Sequence, residues 1–347
     1  MATGTESTAL KSRGFLLGKF LPPHRGHLFL CNTAKRLVDE LTVLVCSTDA
    51  EPISGALRYQ WMQRELHDVN VLHLHKNLPQ EPGDHPDFWK IWRQEITTLC
   101  PEPLDLVFGS EPYVLRLAQE LGARARIIDP DRIVHKISGT GLRENMVENW
   151  DDLIVSARAH FQKRLCLLGP ESVGKSVLAQ ALAERFNTDV MPEYGRTYDV
   201  FHKQDEDGAG KGEDWSEGDL VAIAQTHIAM REAMAQAAGP FLIEDTDIIQ
   251  TAIWAEFLLG EKSLALEGML EDASFADGYL VLAPDVTWTD DGVRYAGDGK
   301  LRQWFFDEAV KRLKTLNLPH NIVTGQDWQD RTASAIAFAE ARFGVLS

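Results

Sequence analysis

The sequence predicts an α/β fold of two domains, each a parallel sheet between two layers of helices. Three observations predict this class. Short apolar runs alternate with longer segments of helical periodicity in both halves of the chain, as in strand–helix–strand units. A glycine-rich turn between a strand and a helix occurs in mid-chain, where a second sheet would begin. The length of 347 residues accommodates two domains of ordinary size.

The composition is that of a globular protein with a strong acidic excess. Hydrophobic residues make up 44% of the chain and charged residues 25%, and the formal net charge is −17. A nucleic-acid-binding surface normally shows a basic excess, so we expect no nucleic-acid partner. No apolar run is long enough to predict membrane insertion. Four scattered cysteines without metal-ligand spacing indicate a reduced, cytoplasmic protein: Cys31, Cys46, Cys100 and Cys166.

The expected domain boundaries follow from the same alternation. Residues 1–12 lack the apolar core of a signal peptide and are expected to form a disordered tail. The first domain is expected over residues 13–160, closing with an amphipathic connecting helix over 149–161. The second domain is expected over residues 161–347.

Two histidines lie where the first strand meets the first helix. The strand is predicted over residues 14–20, the helix over 28–37 and the next strand over 41–46. His24 and His27 are three residues apart and share one face of the helix start. Two imidazoles beside helix N–H groups suit a polyphosphate whose charge grows in a transition state. Metal ligation and simple capping remain the alternatives.

Two tryptophans begin a helix that is predicted over residues 88–99. A helix over 57–67 and a strand over 71–75 precede it. Trp89 and Trp92 could form part of the core or a stacking platform for a flat pyridinium ring, and the sequence favours neither.

Polar residues also follow the next strand, which is predicted over residues 104–108. Ser110 and Glu111 come directly after it, at the expected ligand edge of the sheet. Further on, Ser138 and Thr140 could each cap a helix.

The second half opens with the complete pattern G-x-x-x-x-G-K-S. An apolar strand over residues 165–168 precedes it, and a helical run follows. This context predicts a phosphate loop over residues 169–176, in which backbone N–H groups converge on phosphate oxygens. Lys175 would neutralise the β- and γ-phosphates, and the Ser176 hydroxyl would bind magnesium. A chance glycine-rich turn is the alternative.

Later strands end in charged residues. Glu193 and Arg196 fall just beyond a strand and are expected to face the phosphate loop. An apolar strand over residues 240–245 ends in Asp245 and Asp247, which could orient magnesium or simply cap the following helix.

The remaining interpretations concern loops and helix surfaces. Residues 203–218 are expected to form a mobile loop. A long helix over 219–238 is expected to expose three polar side chains, Gln225, His227 and Arg231. Arg294 and Arg302 bracket a glycine-rich loop, which predicts a lid whose arginines reach the transferring phosphoryl group. Two surface arginines in an ordinary loop are the alternative.

The string G-K-F-x-P-x-H-x-G-H resembles the nucleotidylyltransferase superfamily, and so does I-S-x-T-x-x-R further on. The resemblance implies a Rossmann-like first domain in which His24 and His27 stabilise the α-phosphate of ATP, without a protein nucleophile. It implies that Lys19 helps to bind phosphate. It also implies a phosphate-holding role for the second string, in which Gly139 replaces the usual second serine. That string contributes Ser138, Thr140 and Arg143.

The two halves together resemble the NadR-type bifunctional enzymes of NAD synthesis. The resemblance implies a P-loop kinase domain that phosphorylates nicotinamide riboside with ATP, and a first domain that converts nicotinamide mononucleotide (NMN) and ATP to NAD and pyrophosphate. ATP is then a co-substrate and Mg²⁺ the cofactor. Glu193 or Asp245 would accept the riboside proton, and we favour Glu193. Further nucleotide-binding residues would be Gly18, Phe20, Ser110, Glu111, Ile137, Gly169, Glu171, Ser172 and Gly174, and substrate-binding residues Trp89, Trp92, Tyr194, Arg196 and Asp247.

One departure and two rival functions accompany this resemblance. Some family members carry an N-terminal helix-turn-helix, for which about a dozen residues before the first strand leave no room, so DNA binding is not expected. A rival enzyme would transfer a cytidylyl group or phosphorylate another nucleoside. A non-enzymatic alternative is a sensor that binds NAD or a nucleotide and has lost one or both activities. Small molecules are the expected partners, and a homo-oligomer is compatible with the sequence.

Overall fold

The computed structural model describes residues 11–203, 215–287 and 299–344. The chain divides between Arg158 and Ala159 into two compact units. The boundary predicted after residue 160 lies close to this division. Within the described residues, no helix is both long and apolar enough to cross a membrane.

The first unit contains a five-stranded parallel sheet with strand order β3-β2-β1-β4-β5. Its strands are β1 (Arg13–Gly18), β2 (Glu40–Ser47), β3 (Asn70–His75), β4 (Leu106–Gly109) and β5 (Arg124–Ile127). Its helices are α1 (Arg25–Lys35), α2 (Gly55–Glu65), α3 (Phe88–Leu99), α4 (Tyr113–Glu120), α5 (Gly139–Glu144) and α6 (Val155–Phe161).

The apolar strands of the first unit are buried because helices cover the sheet. Phe15, Leu44, Ile96 and Val107 have no exposed surface and pack in one cluster. β1 pairs with β2 on one side and with β4 on the other, so the chain order reverses at β1. In parallel sheets of this kind, ligands bind beyond the carboxyl ends of the strands at such a reversal.

The second unit contains another five-stranded parallel sheet, with strand order β10-β9-β6-β8-β7. Its strands are β6 (Lys163–Leu168), β7 (Asp189–Met191), β8 (Phe241–Asp245), β9 (Gly278–Leu282) and β10 (His320–Val323). Its helices are α7 (Lys175–Phe186), α8 (Tyr194–Tyr198), α9 (Glu217–Ala237), α10 (Ile248–Leu259), α11 (Leu264–Glu271), α12 (Gly299–Thr315) and α13 (Trp328–Phe343).

Alternate residues of β6 face two different helix layers. Leu165 and Leu167 pack in the cluster formed with α7 and α13. Cys166 and Leu168 pack in the cluster formed with α9, α10 and α12. Successive strand side chains point to opposite faces, so the central strand is buried on both sides. The predicted class, two parallel-sheet domains of three layers, is confirmed.

Some local predictions were wrong. Helices α4, α8, α11 and α12 were not predicted. The expected connecting helix over 149–161 is a 3₁₀ turn (Trp150–Asp152) followed by α6. On α9, Gln225 is exposed as expected, but His227 and Arg231 are buried. Most of the expected loop over 203–218 lies outside the described residues.

Candidate active sites

A cavity of about 520 Å³ lies at the carboxyl ends of β1 and β4 in the first unit. It is lined by most of the residues that the sequence singled out there. Thr140 and Arg143 follow the lining residues along α5. The predicted residues in the cavity wall are Gly18, Lys19, Phe20, His24, His27, Trp89, Trp92, Ser110, Glu111, Ile137 and Ser138.

The imidazole rings of His24 and His27 stack with their centroids 3.7 Å apart. The backbone N–H of His24 donates to Nδ1 of His27 at 3.2 Å, so the neutral His27 ring carries its proton on Nε2. Burial lowers the pKa of His24 to about 4, helped by the positive charge of Arg132. Burial also lowers the pKa of His27 well below its usual range. Both rings are therefore neutral hydrogen-bonding groups near pH 7.

Lys19 reaches the cavity from the end of β1 and is held by a buried carboxylate. Its Nζ lies 3.5 Å from Oε1 of Glu51. Glu51 also forms a short ion pair with the fully buried Arg58, whose guanidinium donates to the Lys19 carbonyl. Both the backbone and the side chain of Lys19 are thus fixed by one ion pair.

The hydroxyls of the second motif are engaged within the motif. Ser138 caps α5 by accepting a hydrogen bond from the backbone of Gly141 at 3.0 Å. Thr140 accepts from Arg143 at 3.1 Å, and Arg143 also donates to the Leu21 carbonyl. A Cβ on Gly139 would lie 2.6 Å from that same carbonyl oxygen, so any side chain at this position would require the backbone of Leu21 to move.

The two tryptophans of α3 differ in environment. Trp92 is 8% exposed, belongs to the core, and donates its indole N–H to the Pro79 carbonyl at 2.9 Å. Trp89 is only partly buried and contacts Phe88 edge to face. Both side chains also line the cavity, so stacking of Trp89 or Trp92 on a planar ligand stays a prediction.

A second cavity, of about 280 Å³, lies against the phosphate loop of the second unit. Seven residues that the sequence singled out line it. Glu193 and Arg196 come from the segment after β7, as expected. The seven are Glu171, Ser172, Gly174, Lys175, Ser176, Glu193 and Arg196.

Two glycines allow the phosphate loop to turn tightly. Gly169 has φ +140°, and a Cβ there would lie 2.8 Å from the Leu282 carbonyl oxygen. Gly174 has φ +80°, and a Cβ there would collide with the ring of Trp328. Lys175 folds back over the loop and donates to the carbonyls of Gly169 and Pro170 at 3.1 and 2.9 Å. The ammonium group therefore lies inside the loop.

A serine hydroxyl and a carboxylate meet beside the loop. Ser176 Oγ donates to Oδ2 of Asp245 at 2.5 Å. The other oxygen, Oδ1 of Asp245, is buried and has no hydrogen-bond partner within the described part of the chain. A hydroxyl and a carboxylate oxygen are donors that Mg²⁺ prefers, so this pair fits that ion. No cluster of three His, Cys, Asp or Glu ligands occurs in residues 11–203, 215–287 and 299–344.

Glu193 has an unusual affinity for protons. Burial raises its pKa to about 7, the negative charge of Asp245 acts in the same direction, and Lys175 acts in the opposite one. A carboxylate that titrates near neutral pH, in a cavity beside a phosphate loop, suits a general base.

Asp247 lies outside the cavity and has a structural environment. It caps α10 by accepting from the Ile249 backbone at 2.9 Å, and Tyr279 donates its hydroxyl to Asp247 at 2.8 Å. The capping alternative therefore describes its contacts better than the predicted substrate binding. Tyr194 packs against the apolar core and the ring of Tyr198 rather than in the cavity wall.

Arg302 was predicted to border a glycine-rich lid, and the surface position given as the alternative is wrong. Arg302 lies on α12, is 5% exposed, and donates to the backbone carbonyls of Val286 and Ser172. Arg294, the other arginine of the expected lid, lies outside the described residues.

Comparisons with known proteins find one matching family model and several relatives of this chain. The AAA domain family matches residues 164–331. The chain is also 30% identical over 154 residues to the nicotinamide-nucleotide adenylyltransferase of Methanoculleus marisnigri, an alignment that covers 42% of this chain and 87% of that protein. This chain belongs to the nicotinamide-nucleotide adenylyltransferase family.

Beyond this family membership, the similarity to NadR extends over nearly the whole chain. The trifunctional NAD biosynthesis/regulator protein NadR of Salmonella typhimurium is 25% identical over 350 residues, covering 96% of this chain and 84% of that protein. The crystal structure of a NadR protein in complex with NR has a TM-score of 0.74 at 22% identity, covering 96% of this chain and 97% of that one. The latter likeness shows the fold, and the chain is a NadR homologue.

In this adenylyltransferase family member, the sequence analysis missed several residues that line or support the two cavities. In the first unit these are Glu51 and Arg58, because an ion pair between a loop and a helix leaves no periodic signal. In the second unit, Gln250 accepts from the Gly169 backbone at 3.1 Å and lines the cavity. His227 lines it as well, although its place on a long polar helix suggested a solvated position.

Proposed function

We propose that this chain is a bifunctional enzyme of NAD synthesis. Its second unit phosphorylates nicotinamide riboside with ATP to give NMN, and its first unit converts NMN and a second ATP to NAD and pyrophosphate. One observation carries this proposal: a single chain contains a stacked histidine pair at one sheet and a Lys175–Ser176–Asp245 arrangement at the other. The names of the relatives supply the substrates.

In adenylyl transfer, a 5′-phosphate oxygen of NMN attacks the α-phosphorus of ATP, and pyrophosphate leaves with the electrons of the broken P–O bond. The protein needs no nucleophile, so it contributes orientation and charge stabilisation. His27 offers its Nε2 proton to the α-phosphate, and the positive charge of Lys19 offsets phosphate charge. Because both rings are neutral, they act as hydrogen-bond donors rather than as acids that lose a proton.

In the kinase reaction, the riboside 5′-hydroxyl attacks the γ-phosphorus of ATP, and ADP leaves. Glu193 accepts the hydroxyl proton, and Lys175 stabilises the charge of the β- and γ-phosphates. The geometry favours Glu193 over Asp245 as the base, because Asp245 already accepts the Ser176 hydroxyl. Its pKa of about 7 gives Glu193 a base strength matched to neutral pH.

Mg²⁺ fits the kinase site and is proposed as its cofactor. Ser176 and Asp245 would hold it, since the buried Oδ1 of Asp245 has no hydrogen-bond partner in the described segments. When bound, the ion would offset negative charge on the phosphate oxygens.

The test follows products over time from nicotinamide riboside, ATP and Mg²⁺. We expect NMN to form first and NAD to follow, with pyrophosphate released in step with NAD. Tight NAD binding without turnover would instead support the sensor. Faster conversion of another nucleoside, or a requirement for CTP, would support the rival enzyme.

A further inference from the structure

Two consecutive carbonyl groups of the phosphate loop are held by arginines from distant helices. The Val173 carbonyl accepts from Arg331 of α13 at 3.3 Å. The preceding carbonyl, that of Ser172, accepts from Arg302 of α12 at 3.4 Å. Arg331 has no exposed surface, and Arg302 is almost as deeply buried. Neither guanidinium belongs to the set of groups that line the cavity.

Arg331 is fixed from three further directions. It forms an ion pair of 2.6 Å with Asp285 and donates to the Gly325 carbonyl at 2.8 Å. Asp285 also accepts from the Gly325 backbone N–H at 2.6 Å. The guanidinium lies over the ring of Trp328, 5.6 Å from its centroid. Turning this guanidinium away would break the ion pair and both carbonyl hydrogen bonds inside the protein, so these contacts hold it in place.

Arg302 is fixed in a similar way at the other side of the loop. Both of its terminal nitrogens lie 3.2 Å from the Val286 carbonyl oxygen, next along the chain from Asp285. The two arginines are therefore tied to the same segment after β9. We call Arg331, Asp285 and Arg302 the arginine clamp.

The clamp has a direct consequence for phosphate binding. In a phosphate loop the N–H groups must point inward, toward phosphate oxygens, so carbonyls that face away from the cavity, as those of Ser172 and Val173 do, need other donors. Ser172 has φ +58°, which an L-residue adopts only when its surroundings fix it. The ring of Trp328 closes the space beside Gly174, the next residue of the loop. Residues 172–174 are thus supported from behind, along their whole length.

We propose that the arginine clamp preorganises the phosphate loop, and that Arg331 and Arg302 are positioning residues for nucleotide binding by the second unit. The inference rests on the proposed kinase function only for the identity of the nucleotide. Without the clamp, the loop would lose conformational entropy when it orders around the β-phosphate. This loss weakens the binding of nucleoside di- and triphosphates. A nucleoside monophosphate would lose little, because it has no β-phosphate for the loop to hold.

The test compares ADP and AMP binding by calorimetry on the full chain carrying Arg331→Lys, Arg302→Lys or Asp285→Asn. The ADP binding that Lys175→Ala abolishes defines the phosphate-loop site, and AMP affinity is measured there by displacement of that ADP, so the comparison does not need riboside turnover. We expect ADP affinity to fall by about ten-fold, as for one lost buried hydrogen bond to a charged group, and AMP affinity to stay within about two-fold. The KM for ATP should rise while the KM for the riboside is unchanged.

The matched control is Arg185→Ala, which removes an exposed ion pair of 2.7 Å between α7, the helix that follows the phosphate loop, and α13, the helix that carries Arg331. It should leave both affinities unchanged. Equal weakening of ADP and AMP, or the same loss in the control, would overturn the proposal. If one clamp variant fails to fold, the other two decide. Absence of riboside phosphorylation by the wild type would contradict the proposed function but not the clamp.

Discussion

At the scale of single residues, the two units use protonation in opposite ways. The histidines of the first unit have lowered pKa values and stay neutral over the physiological range. Glu193 of the second unit has a pKa raised to about 7 and changes charge within that range. The adenylyl transfer step should therefore respond little to pH where the kinase step responds strongly.

Replacing His27 by alanine should remove adenylyl transfer and spare the kinase. Loss of an oriented donor to a developing phosphate charge typically costs about 10²–10³-fold in rate. We expect a fall of that size in NAD formation from NMN, measured by product separation, with riboside phosphorylation unchanged. His67→Ala is the control, because His67 is an exposed histidine in the same unit. Near wild-type NAD formation would show that the stacked pair has been misassigned.

The pH dependence of the kinase step tests Glu193. A base must be deprotonated to act, so kcat/KM for the riboside should rise as pH rises through about 7 and level off above it. Glu193→Gln should lower the rate by about 10²–10⁴-fold and abolish this limb. Glu184→Gln, an exposed change on α7, serves as the control. A profile that stays flat between about pH 6 and 8 would exclude Glu193 as the base.

The sequence could identify these residue types but not their partners. Asp245 and Asp247 follow the same strand, and only the structure shows that one meets Ser176 while the other meets Tyr279. Where a strand ends, the side chains of two residues that are two positions apart point in different directions if the backbone between them rotates. Thr246, which lies between them, has φ +72°. A sequence pattern carries no information about such a rotation.

At the scale of elements, apolar periodicity predicted most strands and long helices. It failed for α12, whose inner face includes the buried arginines Arg302 and Arg312. Arg312 is neutralised by Glu256 and Glu267 at 2.9 and 2.8 Å. On α9 the helix was predicted, but the expected exposure of Arg231 was wrong for a related reason, since this buried arginine donates to the Ser274 carbonyl at 3.0 Å. Buried charges with local partners look like surface residues in a sequence.

The cap of α10 gives an element-scale prediction. Asp247→Ala should lower the free energy of unfolding by about 1–2 kcal/mol, because the helix loses its cap and Tyr279 loses its acceptor. The KM for the riboside should be unchanged if Asp247 is structural. Chemical denaturation and steady-state kinetics measure the two quantities. A large rise in KM with little loss of stability would restore the predicted substrate-binding role.

At the scale of the whole molecule, two sheets of the same architecture hold two separate sites. Because each cavity is built within one compact unit, a defect in one should leave the other intact. The overall plan was therefore predictable from two motifs and their spacing. What the motifs could not predict was the support behind them, such as the Arg58–Glu51 pair and the arginine clamp.

Mixing two single variants tests this independence. By itself, neither the Lys175→Ala variant nor the His27→Ala variant should convert nicotinamide riboside to NAD. A mixture of the two should do so, after a lag in which free NMN accumulates. Added NMN should remove the lag. A mixture that stays inactive although each variant retains its other activity would mean that NMN does not leave the chain between the steps.

The packing of Trp328 against Gly174 has a practical consequence. Its indole is 41% exposed and sits directly behind the nucleotide loop, where a change in loop environment alters its emission. Titration with ADP should therefore change the intrinsic fluorescence, and the change should be smaller in Trp328→Phe, where Trp215 and Trp254 of the cavity wall still respond. The chain in this way carries its own optical reporter for the kinase site, and occupancy could be followed in real time without a label.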